Sequence, residues 1–594
     1  MPASTLLTNS ITATSPEDVT SPGNTTQISP STEATPTNDP VTPPGTPQVG
    51  PEQSCGPIQS MPVDVMLHIF HMGTHCDGDD GAQFPVLVSH VCRSWREAAV
   101  NTCTLWTKIF ISSAGVARWT DFRVGPVLPQ ASGFVLRSRA RLLDIKLHVM
   151  LPREGDIRID IAHMYIRFFT SACMELIASV HKRVRSLDVI TDVPDTTFLI
   201  THRLLPLGVP MLETCRMKST ADIFAPVPVQ VDTHPRFAEF DASGERGGWL
   251  GTEDKRAPME ELLPRIQKLD LTGINATWSQ WNIGGLTSLT LNHAGTERPD
   301  MSELHGILAK SSHSLARLEI MGSLPFAPVR ETGRRLSLAL PKLRDLRVGY
   351  HAQMEAVRFL LTLQLPSVKA LALVDLARTA ERRRRKAIAN SASASGLPFA
   401  MGLPSLNYDY RFDSSYLVVS LYSLCPTLLA QIETLEMVNV WIALRPQIGS
   451  DALCLSISNQ FIYPARFFMA LSSLKTLLVY GADRCLLQSL NQVVPVRGHR
   501  GATKPSFTYP GAQLTRLRVL DSEYEDLLRF LYDRIEIARH LARHPEFSEK
   551  LPIFRQLEVS VLPKNIDPFQ QECSTGKLRG LASSWHRHNG GVMD

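Results

Sequence analysis

The chain has 594 residues, 43% of them hydrophobic, and a formal net charge of +4. At ~150 residues per domain that length allows several domains, and the apolar share is enough for most of the chain to fold around a core. No stretch approaches the ~18 uncharged apolar residues of a membrane span, and the first residues lack a basic and then apolar leader, so neither a membrane nor a secretory route is expected. The ten cysteines, at 55, 76, 92, 103, 173, 215, 425, 454, 485 and 573, include no CxxC pair. Their scatter suits a reducing compartment, cytoplasmic or nuclear, rather than a disulfide framework. Residues 1–57 are rich in Ser, Thr and Pro and contain no aromatic residue, Lys or Arg. Such a tail buries too little to offset chain entropy and is expected to be disordered. Ser15, Ser21, Ser29, Thr35, Thr42 and Thr46 each precede Pro, as proline-directed kinases require.

Residues 61–106 carry the most specific pattern. Pro62 suits the first turn of a helix, with Ser60 as its cap. Val65, Met66, Ile69 and Phe70 are expected on one face of that helix. Val88, Val91, Cys92 and Trp95, spaced i, i+3, i+4 and i+7, predict a second. Roughly 45 residues cannot bury so much apolar surface alone, so a docking partner is expected.

This segment resembles the F-box, the motif that docks substrate receptors onto the Skp adaptor of Skp–cullin–F-box ubiquitin ligases. The family opens with Leu-Pro, an acidic residue and Leu/Ile-x-x-Ile-Phe; Met61-Pro62, Asp64, Leu67 and Ile69-Phe70 stand in those places. Val91-Cys92-Arg93-Ser94-Trp95-Arg96 matches its second block and Thr104-Leu105-Trp106 its closing turn. Met61 replaces Leu, and GTHCDGDDG (73–81) lengthens the inter-helix loop. The tract 133–149 is similar to the segment that comes after the box in fungal F-box proteins. The resemblance implies that Pro62, Val65, Leu67, Ile69, Phe70, Val91 and Trp95 form or support the Skp-binding surface. Trp106 is expected to pack the box against the repeat-bearing domain.

After 113–180, read as a region packing the box on the rest, a weak repeat runs through 181–562. Its unit is apolar-x-x-Leu-x-apolar, centred on Leu187, Leu269, Leu289, Leu318, Leu346, Leu371, Leu435, Leu477, Leu517 and Leu557. From 269 to 371 the steps are 20, 29, 28 and 25 residues, within the period of leucine-rich repeats. Each unit predicts a short strand whose Leu and following apolar residue point to a shared spine. The residue between them faces solvent. That row, Asp270, Thr290, Glu319, Arg347, Ala372, Glu436, Leu478, Arg518 and Glu558, is the expected substrate surface, with its charged members Asp270, Glu319, Arg347, Glu436, Arg518 and Glu558 as contact candidates. Between Leu373 and Ile432 the repeat is interrupted by a basic helix and loop near 377–400. Arg378 to Lys386 holds six basic residues and one acidic. The run 382–386 is a candidate nuclear-import signal or acidic-partner patch. Residues 563–594 read as a tail.

Signals for catalysis are missing: the chain has no P-loop, no GxSxG elbow and no kinase signature. The loop with His71, His75, Cys76, Asp77, Asp79 and Asp80 fails both the zincin and the EF-hand spacing, so no metal and no cofactor are expected. The expected fold is α+β: a small all-α F-box followed by an irregular α/β leucine-rich-repeat solenoid. The expected function is a non-catalytic adaptor that binds the Skp adaptor, and through it a cullin scaffold, and presents an unknown protein substrate; nucleic acid and membrane are not expected partners. The alternative is a non-ligase F-box and repeat scaffold, placed in the nucleus by its basic run.

Overall fold

The computed structural model describes residues 61–75, 80–115, 128–151, 159–220, 259–274, 283–292, 298–325, 337–394, 414–442, 462–481, 484–492, 494–496, 506–508, 513–522, 524–543 and 556–561, together with Trp278, Trp281 and Pro510. The tail 1–57, residues 76–79 of the inter-helix loop, the end of the basic insertion and residues 563–594 lie outside them.

Three helices come first: α1 (Val63–His75), α2 (Asp80–Ser89) and α3 (Arg93–Asn101). The single second helix expected over 88–95 is in fact two. The Ser89 hydroxyl donates back to Val86 O, His90 and Val91 close a turn on Leu87 and Val88, and Cys92 is extended at φ −154°. Helix α3 then starts afresh, with Arg96 N–H donating to Cys92 O.

The rest of the described chain is built around one sheet of thirteen parallel strands in chain order, with two small two-stranded sheets besides. They are β1 (Lys108–Ser112), β2 (Leu143–Val149), β3 (Val184–Thr191), β4 (Thr214–Ser219), β5 (Lys268–Thr272), β6 (Ser288–Asn292), β7 (Arg317–Met321), β8 (Asp345–Tyr350), β9 (Ala370–Asp375), β10 (Thr434–Val438), β11 (Thr476–Tyr480), β12 (Arg516–Ser522) and β13 (Gln556–Val561). Each strand pairs with the one before it in the chain, so every connection returns to the same end of the sheet, as parallel strands require. Longer helices fill several connections: α4 (Pro129–Arg137), α5 (Ile159–Ser179), α6 (Met301–Lys310), α7 (Gln353–Leu361), α8 (Leu376–Ala394), α9 (Ser415–Leu424), α10 (Ile462–Ala470) and α11 (Tyr524–Arg543). Helix α6 begins at a capping box, with Asp300 Oδ1 accepting from Glu303 N–H and Glu303 Oε2 from Asp300 N–H.

The register explains the repeat. All ten sequence units are strands, and from Leu269 onward their central leucines pair rung to rung, for example Leu269 with Leu289, Leu289 with Leu318 and Leu318 with Leu346. Three further strands, β1, β2 and β4, carry Ile109, Ile145 and Cys215 on the same spine. The sheet therefore starts at Lys108, not at 181, and the segment 113–180 supplies β2 and α5 rather than a separate linking region. A pattern that demands Leu at the centre misses Ile and Cys, although all three side chains are at most 3% exposed. Nor does the basic insertion interrupt the ladder: Leu371 on β9 pairs directly with Leu435 on β10. Burial of the spine supplies most of the stabilisation, at roughly 25 cal/mol per Å² of apolar surface removed from water.

A second rule operates four residues after the central position. Gly273, Gly322, Asn439 and Gly481 stand there with φ between +55° and +68°, each donating its N–H to the neighbouring strand's end. Glycine adopts this left-handed turn without steric cost, and asparagine is among the few other residues that tolerate it.

Candidate functional site

Helix α1 has two apolar faces, not the one expected from 65, 66, 69 and 70. Successive residues lie about 100° apart on a helix, so the pairs separate. Met66 and Phe70 point inward and are 5% and 1% exposed. The Phe70 ring meets Trp95 edge-on at 5.1 Å and Phe84 at 6.4 Å. Thr74 Oγ1 donates to Phe70 O on the same inner side, and a Cβ at Gly73 would run into the Phe84 ring. Phe70 is thus a core residue of the box, and Trp95 is half-buried against it.

Val65, Ile69 and Met72, spaced i, i+4 and i+7, form the outer face. They are 46%, 39% and 54% exposed, and Val63 at the helix start is 57% exposed. Leu87 on α2 and Val91 in the following turn add two more apolar side chains, each more than 60% exposed. Pro62 is exposed and Leu67 half-buried. Exposed apolar residues in such a number over so short a segment mark a surface that needs cover. Of these, Val63, Met72 and Leu87 were not named from sequence; extending the i, i+4 step from Val65 to i+7 finds Met72.

Trp106 joins the box to the sheet. It is fully buried, its Nε1–H donates to Ala99 O on α3, and its ring meets Phe134 of α4 edge-on at 4.9 Å. The Arg137 guanidinium lies 4.4 Å over the ring. Two residues later the chain enters β1. Thr104 bonds His71 of α1 at 3.0 Å, which ties the same turn to the first helix.

On the sheet, the residues between the two spine positions form one continuous row. It runs Phe110, Lys146, Asp188, Arg216, Asp270, Thr290, Glu319, Arg347, Ala372, Glu436, Leu478, Arg518 and Glu558. The first four members were not read from sequence because their strands were not, or were not carried into the row. The row satisfies much of its own charge. Arg216 lies 3.1 Å from Asp270 and 3.7 Å from Asp188. Arg347 reaches Glu436 at 2.9 Å although β9 lies between their strands. The small Ala372 stands between them, and the pair arches over it, leaving Ala372 7% exposed. Glu319 accepts from Asn292 and lies 3.5 Å from Arg317. Burial raises the Asp270 carboxyl above the usual carboxylate range, against the lowering effect of Arg216. Arg518 is half-buried, and Glu558 is placed by register alone.

The basic run is partly committed to the fold. Arg378 is 3% exposed, with its guanidinium 5.5 Å from the Trp441 ring centre. Arg382 donates to Asn439, and Arg385 and Arg384 both reach Glu381. Asp375 caps this helix by accepting from Arg378 N–H, and burial pushes its carboxyl up to about 6, partly offset by the bonds and charge of Arg378. His71 and His75 stack at 6.1 Å, but among the described residues no three His, Cys, Asp or Glu side chains converge as a metal site. No helix among the described residues is long and apolar enough to cross a membrane.

Residues 58–112 match the F-box-like family model. The match begins just before α1 and ends on the last residue of β1, so it covers the three helices, the Trp106 turn and the first strand of the sheet. A comparison of the chain with curated proteins finds no match.

Proposed function

We propose that this chain is a substrate-recognition adaptor of a Skp–cullin–F-box ubiquitin ligase. The observation that supports it is the outer face of α1 with Leu87 and Val91: an apolar surface left open on a helical segment that already has its own core, within the F-box-like match. The Skp adaptor would cover that face, with Pro62, Val65, Leu67, Ile69 and Val91 in contact and Phe70 and Trp95 holding the helices in place. The parallel ladder is read as a leucine-rich-repeat solenoid that holds a protein substrate on the face carrying Asp270, Glu319, Arg347, Glu436, Arg518 and Glu558. The adaptor itself does no chemistry. It would raise the effective concentration of a substrate lysine beside a charged conjugating enzyme bound elsewhere on the cullin scaffold. Cytoplasm and nucleus are the compartments where this machinery would meet it.

The test is co-purification of the Skp adaptor and cullin with the full chain and with an Ile69→Asp variant. Loss of both partners with an unchanged melting temperature is expected. Undiminished capture by a chain lacking 58–112 would remove the reading.

A further inference from the structure

The positive charge of this chain is concentrated on one edge of the sheet. The four residues leading into each central spine position of β1–β12 include twelve Lys or Arg and only four Asp or Glu. That is a net +8, against +4 for the whole chain, so everything else sums to −4. The positions are structurally equivalent. Lys268, Arg317 and Arg516 share one register row. Arg344, Lys369 and Lys475 lie on the main-chain ladder one residue upstream, which continues from Ala316 through Arg344, Lys369 and Glu433 to Lys475.

Part of this charge is internally satisfied. Lys369 and Lys475 clamp Glu433 at 2.7 and 2.8 Å. Arg265, Lys268, Lys342, Arg344 and Arg516 are exposed and, among the described residues, form no ion pair. At this same edge lies an open cavity of about 460 Å³, lined by Arg265, Gln267, Gly284 and Gly285 with Glu213 in its wall. A Cβ built on Gly285 would meet nothing within 4 Å, so the backbone there leaves room for a side chain from outside.

We propose that the edge formed by the N-terminal ends of β5–β12 binds an extended acidic polypeptide segment. Seven strand spacings of ~4.8 Å separate Lys268 from Arg516, roughly 34 Å, the length of about ten residues of extended chain. Like charges along a common edge sum into a field that attracts an acidic chain and is screened by salt. Nucleic acid fits less well. Single strands are held by basic grooves with aromatic stacking platforms, and the one aromatic residue at these positions, Trp106, is fully buried. This surface is distinct from the box face, so it holds or falls independently of Skp binding; it adjoins the row through Glu319 and Arg347, the two rows meeting at the Arg317–Glu319 ion pair.

The experiment uses the full chain and a fluorescent peptide of about twelve alternating Glu and Gly residues. A thymidine oligonucleotide of equal length serves as the competing class. Saturable peptide binding that weakens with salt is expected. Arg265→Glu, Lys268→Glu, Arg344→Glu and Arg516→Glu together should weaken it by about tenfold or more. Glu319→Lys with Arg347→Glu, on the neighbouring row, should leave it within about twofold, and capture of the Skp adaptor should be unchanged by either set. If the reversals lower the melting temperature, the same four positions changed to Gln provide the measurement, with a loss of at least about threefold expected. No saturable peptide binding, equal binding by wild type and rim variants, or tighter binding of the oligonucleotide would overturn the proposal.

Discussion

The box and the sheet solve burial in opposite ways. In the sheet the spine residues of β1–β12 are almost wholly buried, and the outer row joins its charges across strands, as Arg216 does with Asp188 and Asp270. In the box only one side of α1 is covered; Val65, Ile69 and Met72 remain open on the other. A face that balances itself can be stable alone, whereas an open apolar face is maintained at a cost in solubility and points to a partner. The same residue type therefore stands in different settings in the two regions: Ile69 on α1 is open to solvent, where the proposed function needs a contact surface, and Ile320 on β7 is fully buried.

The comparison breaks most sharply at paired substitutions on α1. Phe70→Ala, inside the box, should destabilise by ~3–5 kcal/mol. Ile69→Ala, one residue earlier on the outer face, should change stability by less than about 0.5 kcal/mol and still weaken Skp-adaptor binding. Denaturant melts alongside a binding titration separate the two. Equal losses of stability at both positions would mean that the faces are not distinct.

A smaller effect is expected at the turns that end the strands. Gly481→Ala should cost about 1–2 kcal/mol, because φ is +64° and the new Cβ would meet the Arg382 guanidinium and Asn439. Gly285→Ala, also at positive φ but with open space above it, should cost the backbone part alone. Thermal melts of the two variants give the contrast.

The buried Asp375 gives a pH signature with a definite sign. Its folded value of about 6 lies above that of an unfolded aspartate, so the folded state binds more protons between about pH 4 and 6. Its contribution to stability is therefore most favourable below that window and falls as pH rises through it. Asp375→Asn should flatten this fall while preserving an oxygen to accept from Arg378 N–H. Melting temperatures of both proteins across pH 4.5–7 read it out, and parallel curves would contradict the assignment.

The smallest expected effect is at the Arg347–Glu436 pair. With side chains 38% and 24% exposed, the pair should couple by only ~0.2–1 kcal/mol in a double-mutant cycle. A much larger coupling would mean that the outer row, too, is a core.

Much of this was legible in the residues. Regularly spaced leucines gave the strands from Leu269 to Leu557 and the order of the outer row, because one apolar pattern was repeated in one register. The strands at Ile109, Ile145 and Cys215 were hidden by a change of residue type that leaves burial intact. The break at His90–Cys92 was hidden because apolar spacing reads through a turn as easily as through a helix. The division of α1 into two faces was also missed, since residues 65, 66, 69 and 70 span an arc wide enough to serve either one broad face or two. The rim charge was not seen because it lies at one position per repeat, too dispersed to stand out as a run like Arg382 to Lys386.

The last residue of the F-box-like match is also the last residue of β1, and β1 is hydrogen-bonded along its length to β2. The three helices of the F-box-like match are therefore clamped to the sheet through Trp106 and a strand, with no flexible tether in between. A ligase built on this chain would present its cargo at a set reach and bearing, in the manner of a bracket rather than a leash. Which lysines of a substrate come within range would then be decided by geometry, and lengthening the segment between Trp106 and Lys108 should alter which lysines are modified more than how tightly the substrate is held.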